Sequence, residues 1–234
     1  MTCSRASSTD FAAVPDPSTS RRRRNYLREI IETLVLTVVI YLLVHNFIAQ
    51  PFEVEQPSMT PTIVSGQYIL IDKLTGFFGD YQRGDIVVFE PPAGYEQGGV
   101  PFIKRVIALP GDRVTLDNGK VYVTPHGGSP VRLDEAYLIT NADGTRAATV
   151  PRDPTGTAEW IVPDGEYFVM GDNRPVSEDS RLFGPIDRES IIGRAWLGYF
   201  PLNRVGIFQR ADYSNDLSYN PSARSRGQVG RTRR

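Results

Sequence analysis

Short runs of β-branched and aromatic residues, separated by turn-forming residues, constrain the fold of this chain more than any other feature. The intervening residues are mostly glycine, proline, aspartate and asparagine, in clusters such as PGD, DNG and PDG. This spacing is typical of antiparallel sheets. The runs are YILIDKL, DIVVFEP, FIKRVIAL, RVTLD, KVYVT, EYFVMGD and RAWLGYF. They predict a mainly β fold, with an antiparallel-sheet domain over residues 50–210.

Two details of this domain follow from its turns. Asn118–Gly119 lies between VTL and KVYV and predicts a hairpin, because a type I′ turn needs a positive φ at both positions. Residues from about 124 to 157 have a looser sequence, with HGGSP, NADGT and DPTGT. We interpret this stretch as an inserted, smaller β-rich region.

The segment Ile30–Ala49 is apolar for about 20 residues, which is enough for a helix to cross a bilayer core. A buried soluble helix is one alternative, but four arginines, Arg21–Arg24, precede the apolar run. A cleavable signal peptide is another, but Phe47 occupies a position where the cleavage site needs a small residue. We therefore predict an uncleaved transmembrane anchor over residues 29–49.

Charge on the two sides of this segment predicts its orientation. Five arginines precede it closely, whereas no lysine or arginine follows it before Lys73. The positive-inside rule then places the N-terminus in the cytoplasm and residues 50–210 outside it, in a single-pass protein of the plasma membrane. The polar, basic flanks, residues 1–28 and 211–234, are predicted to be disordered.

Composition argues against several kinds of site. The single cysteine, Cys3, can form neither an internal disulfide nor a multi-cysteine zinc site. The two histidines, His45 and His126, are poorly placed for a Ser-His-Asp triad, since one ends the apolar segment and the other lies in a glycine-rich loop. The net charge of −1 gives no general case for nucleic-acid binding. We expect neither a metal nor another cofactor.

Three segments offer polar groups in positions that suit catalysis. Ser58 lies in PFEVEQPSMTPTI, where prolines hold the backbone extended or turned, although a neutral linker has the same texture. Lys104 interrupts the apolar run FIKRVIAL, where it is either exposed at a strand edge or buried. Burial favours the neutral amine, which is a competent general base for a serine. The third segment, residues 171–186, is either a polar loop or a support for a site.

Four blocks, in this order along the chain, resemble bacterial type I signal peptidases, the membrane-bound Ser–Lys proteases that remove signal peptides. The blocks are PSMTPT, RGDIVVFEPP, FIKRVIALPGD and GDNRPVSEDSR. They cover most of residues 52–198, and the predicted N-terminal anchor also fits. The resemblance implies a serine endopeptidase that cuts preproteins after small residues at the −1 and −3 positions.

The resemblance also implies roles for individual residues. Ser58 would be the acylating nucleophile and Lys104 the general base, with Ser177 holding the Lys104 amine by a hydrogen bond. The backbone N–H of Ser58 would donate to the oxyanion. Two supporting ion pairs are implied, Asp179 with Arg181 and Asp172 with Arg105. The implied lining of the substrate pockets is Phe52, Val54, Met59, Phe102 and Ile103.

The chain departs from the family two residues before the nucleophile. Many members have a serine there, whose hydroxyl completes the oxyanion hole, whereas this chain has Gln56. A glutamine amide can also donate a hydrogen bond to an oxyanion. We therefore hypothesise that Gln56 Nε2 takes this role.

Two other functions are compatible with parts of the sequence. A self-cleaving Ser–Lys repressor of the SOS-response type shares the chemistry, but it needs a DNA-binding helix-turn-helix where this chain has an apolar segment. A catalytically inactive, membrane-anchored β domain could bind exported chains, but both Ser58 and Lys104 are retained. The expected partners are preprotein substrates and the lipid bilayer, with the secretion translocon nearby and no nucleic acid.

Overall fold

The computed structural model describes residues 17–43, 49–95, 99–141 and 143–213. The chain divides into two compact units, before and after residue 45. In the first unit, helix α1 spans Pro17–Leu43, so it begins inside the segment predicted to be disordered. Arginine is a good helix former, and an (i, i+4) ion pair of 2.7 Å joins Arg28 to Glu32 on the exposed surface.

The predicted anchor extends past the end of helix α1. Residues 44–48, which close the apolar segment, lie outside the described residues, as do residues 1–16 and 214–234 of the two flanks predicted to be disordered. In the part of the chain that is described, no helix is both long enough and apolar enough to span a bilayer.

The second unit is mainly β, as predicted, and its described strand pairs are all antiparallel. Its strands are β1 (Ala49–Val54), β2 (Gln67–Asp72), β3 (Ile86–Phe89), β4 (Phe102–Ala108), β5 (Arg113–Asp117), β6 (Lys120–Thr124), β7 (Val131–Arg132), β8 (Glu159–Ile161), β9 (Glu166–Met170), β10 (Ile186–Asp187), β11 (Ile191–Phe200) and β12 (Gly206–Ile207). Two short helices accompany them, α2 (Leu74–Phe78) and α3 (Ser180–Phe183).

The larger sheet has the strand order β1-β2-β11-β3-β4-β9-β10, with β12 paired to β11. Strands β3 and β4 are central, and every residue in them is buried. Because successive side chains point to opposite faces, Ile86 and Val88 pack into one apolar cluster while Val87 and Phe89 pack into another. A polar side chain in the middle of β4 is therefore enclosed by apolar layers.

The smaller sheet has the order β7-β6-β5-β8. The predicted hairpin between β5 and β6 is confirmed, with φ of 48° at Asn118 and 74° at Gly119. This sheet begins at Arg113, before the predicted insertion of residues 124–157. The inward side chains of RVTLD and KVYVT pack against Ile107 and Phe168 of the larger sheet, and local sequence does not reveal which sheet a strand will join.

Helix α2 carries two exposed aromatic side chains. Phe77 is 67% exposed and Phe78 is 86% exposed. Arg188 Nη2 donates to the carbonyl oxygens of Gly76 and Gly79, at 2.9 and 2.7 Å. It thus holds the backbone on both sides of the two phenylalanines. The two phenylalanines therefore lie on a short helix that is held in place, and they are not part of the core.

Candidate active site

Ser58 lies in a 3₁₀ turn, Pro57–Met59, that closely follows strand β1. Two backbone hydrogen bonds close the turn, Thr60 N–H to Pro57 O at 3.2 Å and Ile63 N–H to Met59 O at 3.0 Å. Met59 is fully buried in an apolar cluster, while Ser58 keeps 4% of its surface exposed. The proline-rich segment is thus a folded, anchored turn rather than a linker.

Lys104 occupies the middle of β4, between β3 and β9. It is completely buried, so the alternative of an exposed lysine at a strand edge is wrong. Its Nζ lies 2.9 Å from Ser58 Oγ and 4.8 Å from the centroid of the Phe102 ring. The structure therefore brings together two residues that are far apart in sequence, at hydrogen-bond distance.

The environment of Lys104 favours its neutral form. Burial lowers the pKa of the amine to about 8, although the negative charges of Asp179 and Glu178 oppose the change. A serine hydroxyl can donate or accept, because its hydrogen rotates about the Cβ–Oγ bond. A neutral Nζ at this distance can therefore accept the Ser58 proton.

Behind the dyad, Arg105 and Asp172 form a buried ion pair. Arg105 Nε and Nη2 donate to the two carboxylate oxygens of Asp172 at 2.8 and 2.6 Å. Thr62 Oγ1 donates to the same carboxylate at 2.6 Å, and Arg105 Nη1 donates to Gly84 O at 3.0 Å. Because Thr62 belongs to the segment that follows Ser58, this pair ties the nucleophile's segment to the base's strand.

A second buried ion pair joins Asp179 to Arg181. Arg181 Nε and Nη2 each donate to the carboxylate at 2.8 Å, and Gly171 N–H donates to it at 3.1 Å. Burial alone would raise the pKa of Asp179, but the hydrogen bonds and charge of Arg181 outweigh it and lower that pKa. The carboxylate stays ionised at the start of α3 and faces the amine of Lys104.

The hydrogen bond predicted between Ser177 and the Lys104 amine is not formed among the described residues. Its hydroxyl is buried, and among the described residues it has no hydrogen-bond partner of ordinary geometry, Lys104 included. Its interaction with Asp179 helps to lower the pKa of that carboxyl. The Lys104 amine instead forms its hydrogen bond with Ser58.

Two residues that have no assigned role in the sequence prediction hold the nucleophile from the other side. Asn173 donates twice, from its backbone N–H to Ser58 O at 2.9 Å and from Nδ2 to Pro57 O at 3.2 Å. Gly171 packs so closely that a Cβ would lie 2.5 Å from Ser58 O and 2.2 Å from Ser177 Oγ. Both residues belong to the GDNR block that carries the family resemblance, but the sequence does not show what they contact.

The remaining predicted residues lie around the turn. Gln56 precedes it in an extended conformation, half-buried, and its side chain does not cap the turn. Among the predicted pocket residues, only Phe52 is partly exposed. The other four are buried in the two apolar clusters on either side of the sheet: Val54, Met59 and Ile103 in one and Phe102 in the other. Within the described ranges, no cluster of histidine, cysteine or acidic side chains is arranged to hold a metal ion.

Comparison with known proteins identifies relatives over most of the chain. The family model described as "Signal peptidase, peptidase S26" matches residues 27–200. "Probable signal peptidase I-1" of Synechocystis sp. is 38% identical over 186 residues, covering 77% of this chain and 86% of the relative. "Signal peptidase I" of Bacillus licheniformis is 34% identical over 188 residues, covering 80% and 95%. A crystal structure of a signal peptidase I from Enterococcus faecalis is 32% identical and covers 49% of this chain and 96% of its own, with a TM-score of 0.36.

Proposed function

Because this chain belongs to the signal peptidase family S26, we propose that Ser58 and Lys104 form its catalytic dyad. The chain is a serine endopeptidase of the signal peptidase I type, and its reaction is the removal of signal peptides from preproteins. The observation that carries the assignment of the dyad is the 2.9 Å approach of a fully buried lysine amine to the hydroxyl of a serine held in a rigid turn.

The proposed mechanism has two halves. Ser58 Oγ attacks the scissile carbonyl carbon while neutral Lys104 Nζ takes the hydroxyl proton. The backbone N–H of Ser58 and the amide of Gln56 donate to the oxyanion, and Lys104 then gives its proton to the leaving amine. In the second half, Lys104 Nζ deprotonates a water that attacks the Ser58 ester, and the protonated amine then returns that proton to Ser58 Oγ as the acyl group leaves. The two buried ion pairs support the geometry of both halves.

We further propose that the pocket residues select small side chains through close packing. Val54, Met59 and Ile103 leave little of their surface accessible, and Phe52 packs against the same cluster. Phe102 is equally buried, in the cluster on the other face of the sheet. A bulky substrate side chain would have to displace packed core residues, and overpacking of this kind costs about 1–3 kcal/mol. Alanine-sized side chains at the −1 and −3 positions of the substrate avoid that cost.

We also propose that residues 29–49 anchor the enzyme in the plasma membrane, with the N-terminus cytoplasmic and residues 50–210 extracytoplasmic. Signal peptides are themselves inserted in the membrane, so tethering the enzyme raises its effective concentration at the cleavage site, close to the translocon. The exposed pair Phe77 and Phe78 is a candidate contact with the outer surface of the bilayer.

The direct test is cleavage of a purified preprotein by the full-length protein in lipid vesicles. We expect two products, and N-terminal sequencing of the mature part should place the cut after a small residue at −1. The rival function, an inactive β domain that binds exported chains, predicts binding without any product. Absence of cleavage together with stable preprotein binding would therefore overturn the proposal.

The pH dependence of cleavage should report the protonation of Lys104. Because only the neutral amine acts as a base, kcat/KM should rise with pH, with a midpoint near the lowered pKa of about 8, and level off above it. Below the midpoint, kcat/KM should fall about tenfold per pH unit. The measurement is a profile of kcat/KM from pH 6 to about 10, with a peptide substrate that lacks ionisable groups near the cleavage site.

A neighbouring acid provides the control for this assignment. Glu178 raises the pKa of Lys104, so Glu178→Gln should move the midpoint to lower pH. Glu189→Gln, on the exposed surface, should leave it in place. A midpoint that stays near the ordinary lysine value, or that responds equally to both substitutions, would show that the titrating group is not Lys104.

Substitution of Gln56 tests the proposed oxyanion donor. If Gln56 Nε2 donates to the oxyanion, Gln56→Ala should lower kcat by roughly 10²–10³-fold, with KM little changed. Gln56→Ser places a hydroxyl at this position, as in many family members, and should retain more activity than Gln56→Ala. An unchanged kcat in Gln56→Ala would remove the residue from the oxyanion hole.

A further inference from the structure

A buried polar cluster lies behind the turn that holds the nucleophile. At its centre is Arg174, which is only 1% exposed. Its Nε donates to Gly171 O at 3.0 Å, and its Nη1 and Nη2 donate to Thr149 Oγ1 and Glu135 Oε1. Glu135 and Thr149 are themselves buried, and both belong to the stretch interpreted from sequence as an insertion. We call Arg174, Glu135 and Thr149 the Arg174 cluster.

The turn that Arg174 holds is in direct contact with Ser58. Arg174 Nε donates to Gly171 O. Asn173, the residue before Arg174, donates to Ser58 O at 2.9 Å and to Pro57 O at 3.2 Å. Gly171 packs against the same Ser58 carbonyl without room for a methyl group. A displacement of this turn therefore moves the backbone of the nucleophile, and a misplacement of about 1 Å can reduce a rate by about 10²-fold.

The cluster also reaches the strand of the general base through Tyr137. The Tyr137 hydroxyl donates to Glu135 Oε1 at 3.0 Å, and its ring lies 4.1 Å from the guanidinium carbon of Arg105, the residue after Lys104. Tyr213 shares a hydrogen bond of 2.8 Å with the same hydroxyl. Glu135 thus contacts both Arg174, which holds the turn beside Ser58, and Tyr137, which packs against the residue next to Lys104.

We propose that Glu135 is a positioning residue for the cleavage reaction, acting through Arg174 on the turn that holds Ser58. A buried guanidinium needs a charged partner, and Glu135 is the carboxylate that the structure pairs with Arg174. With Glu135 in place, Arg174 is fixed between the inserted stretch and Gly171. The inserted stretch then takes part in catalysis, although it contributes no group to the dyad.

This inference rests on the proposed role of Ser58, and its test compares three substitutions in the full-length protein. Glu135→Gln keeps the shape and removes the charge, while Thr149→Val removes a second side-chain acceptor of Arg174 without removing a charge. Asp134→Ala is the matched control, because Asp134 adjoins Glu135 and forms an exposed ion pair with Arg146. Thermal unfolding is measured first, and kcat and KM are then measured well below the lowest melting temperature.

We expect Glu135→Gln to lower kcat by about 10–100-fold with KM little changed, as for other residues that orient a site from behind. Thr149→Val should show a smaller fall of the same kind, and Asp134→Ala should match wild type. Combination of Glu135→Gln with Asn173→Ala should cost less than the product of the two separate losses, because Asn173→Ala removes the side-chain bond to Pro57 O and both changes therefore act on the turn that holds Ser58.

The results separate this inference from the proposed function. A folded Glu135→Gln variant with wild-type kcat, or one that is affected in KM alone, overturns the inference while an inactive Ser58→Ala variant still supports the dyad. If Glu135→Gln does not fold, Thr149→Val decides, and an unchanged kcat there overturns the inference as well. Full activity of Ser58→Ala would instead overturn the proposed function itself.

Discussion

Replacement of Ser58 by alanine is expected to lower kcat by about 10⁴–10⁶-fold, and adding Lys104→Met to that variant is expected to lower it no further. The reason is that the two groups act as one unit: without the hydroxyl there is no proton for the amine to take, and without the amine the hydroxyl is a weak nucleophile. The 2.9 Å contact between Nζ and Oγ makes this dependence direct.

Lys104→Met alone should cause a similar loss of activity without loss of the fold. Methionine matches the unbranched side chain, and the site is fully buried and lies against the Phe102 ring, so the substitution removes a buried amine from an apolar environment. Lys104→Arg should also be inactive, because a guanidinium does not lose its proton near neutral pH. Single-turnover cleavage of a preprotein, with melting temperatures for each variant, measures both effects.

Lys120→Met is the matched control for these variants, since Lys120 is an exposed lysine on β6 of the smaller sheet. It should retain full activity. If the double variant were much less active than either single variant, Ser58 and Lys104 would act independently, and the dyad would be wrong. Equal cleavage by wild type, Ser58→Ala and Lys104→Met would place the chemistry elsewhere.

The second large effect is expected on stability, from the buried pair of Arg105 and Asp172. Asp172→Asn should lower the free energy of unfolding by about 3–5 kcal/mol, because it leaves the Arg105 cation buried beside a neutral amide. Both side chains are almost fully buried, at 2% and 0% exposure, so water cannot replace the lost partner. Arg105→Met should be destabilising for the same reason, since it leaves a buried carboxylate.

The double variant, Arg105→Met with Asp172→Asn, should lose much less stability than the sum of the two single losses, since neither charge then remains unpaired. Urea unfolding of the full-length protein, followed by tryptophan fluorescence, measures the three losses, since the half-buried Trp160 packs against the core between the sheets. Glu159→Gln is the control, because its ion pair with Arg113 is about half exposed and should contribute about 1 kcal/mol or less. Additive losses would mean that the pair is not coupled.

Some parts of the fold and the site can be predicted from the sequence alone, and others cannot. The alternation and turns of the β-rich runs are local properties, so the antiparallel fold and the hairpin at Asn118–Gly119 could be predicted from them. The resemblance of the four blocks to a known family likewise predicts Ser58, Lys104 and both ion pairs as parts of the site. By contrast, the strand membership of RVTLD and KVYVT in the smaller sheet depends on packing against Ile107 and Phe168, which are contacts between distant parts of the chain.

The absence of the predicted bond between Ser177 and Lys104 has a similar origin. Which hydroxyl meets the amine is decided by the distances between β4, the turn at Ser58 and the loop after β9. No pattern in the sequence encodes such distances. The role proposed for Glu135 could not be predicted either. Glu135 lies in the stretch interpreted only as an inserted β-rich region, and its partner Arg174 lies far from it in the sequence.

The chain's own sequence thus determined the class of fold and the identity of the candidate nucleophile and base, because side-chain periodicity, turn chemistry and ordered motifs are written along the chain. The tertiary structure decided whether Lys104 is exposed or buried, and with it the pKa of about 8 that lets an amine act as a base. That outcome depends on β3 and β9 covering β4 on both sides, and on both faces of the sheet being packed, so that the amine is withdrawn from solvent and its charged form is disfavoured.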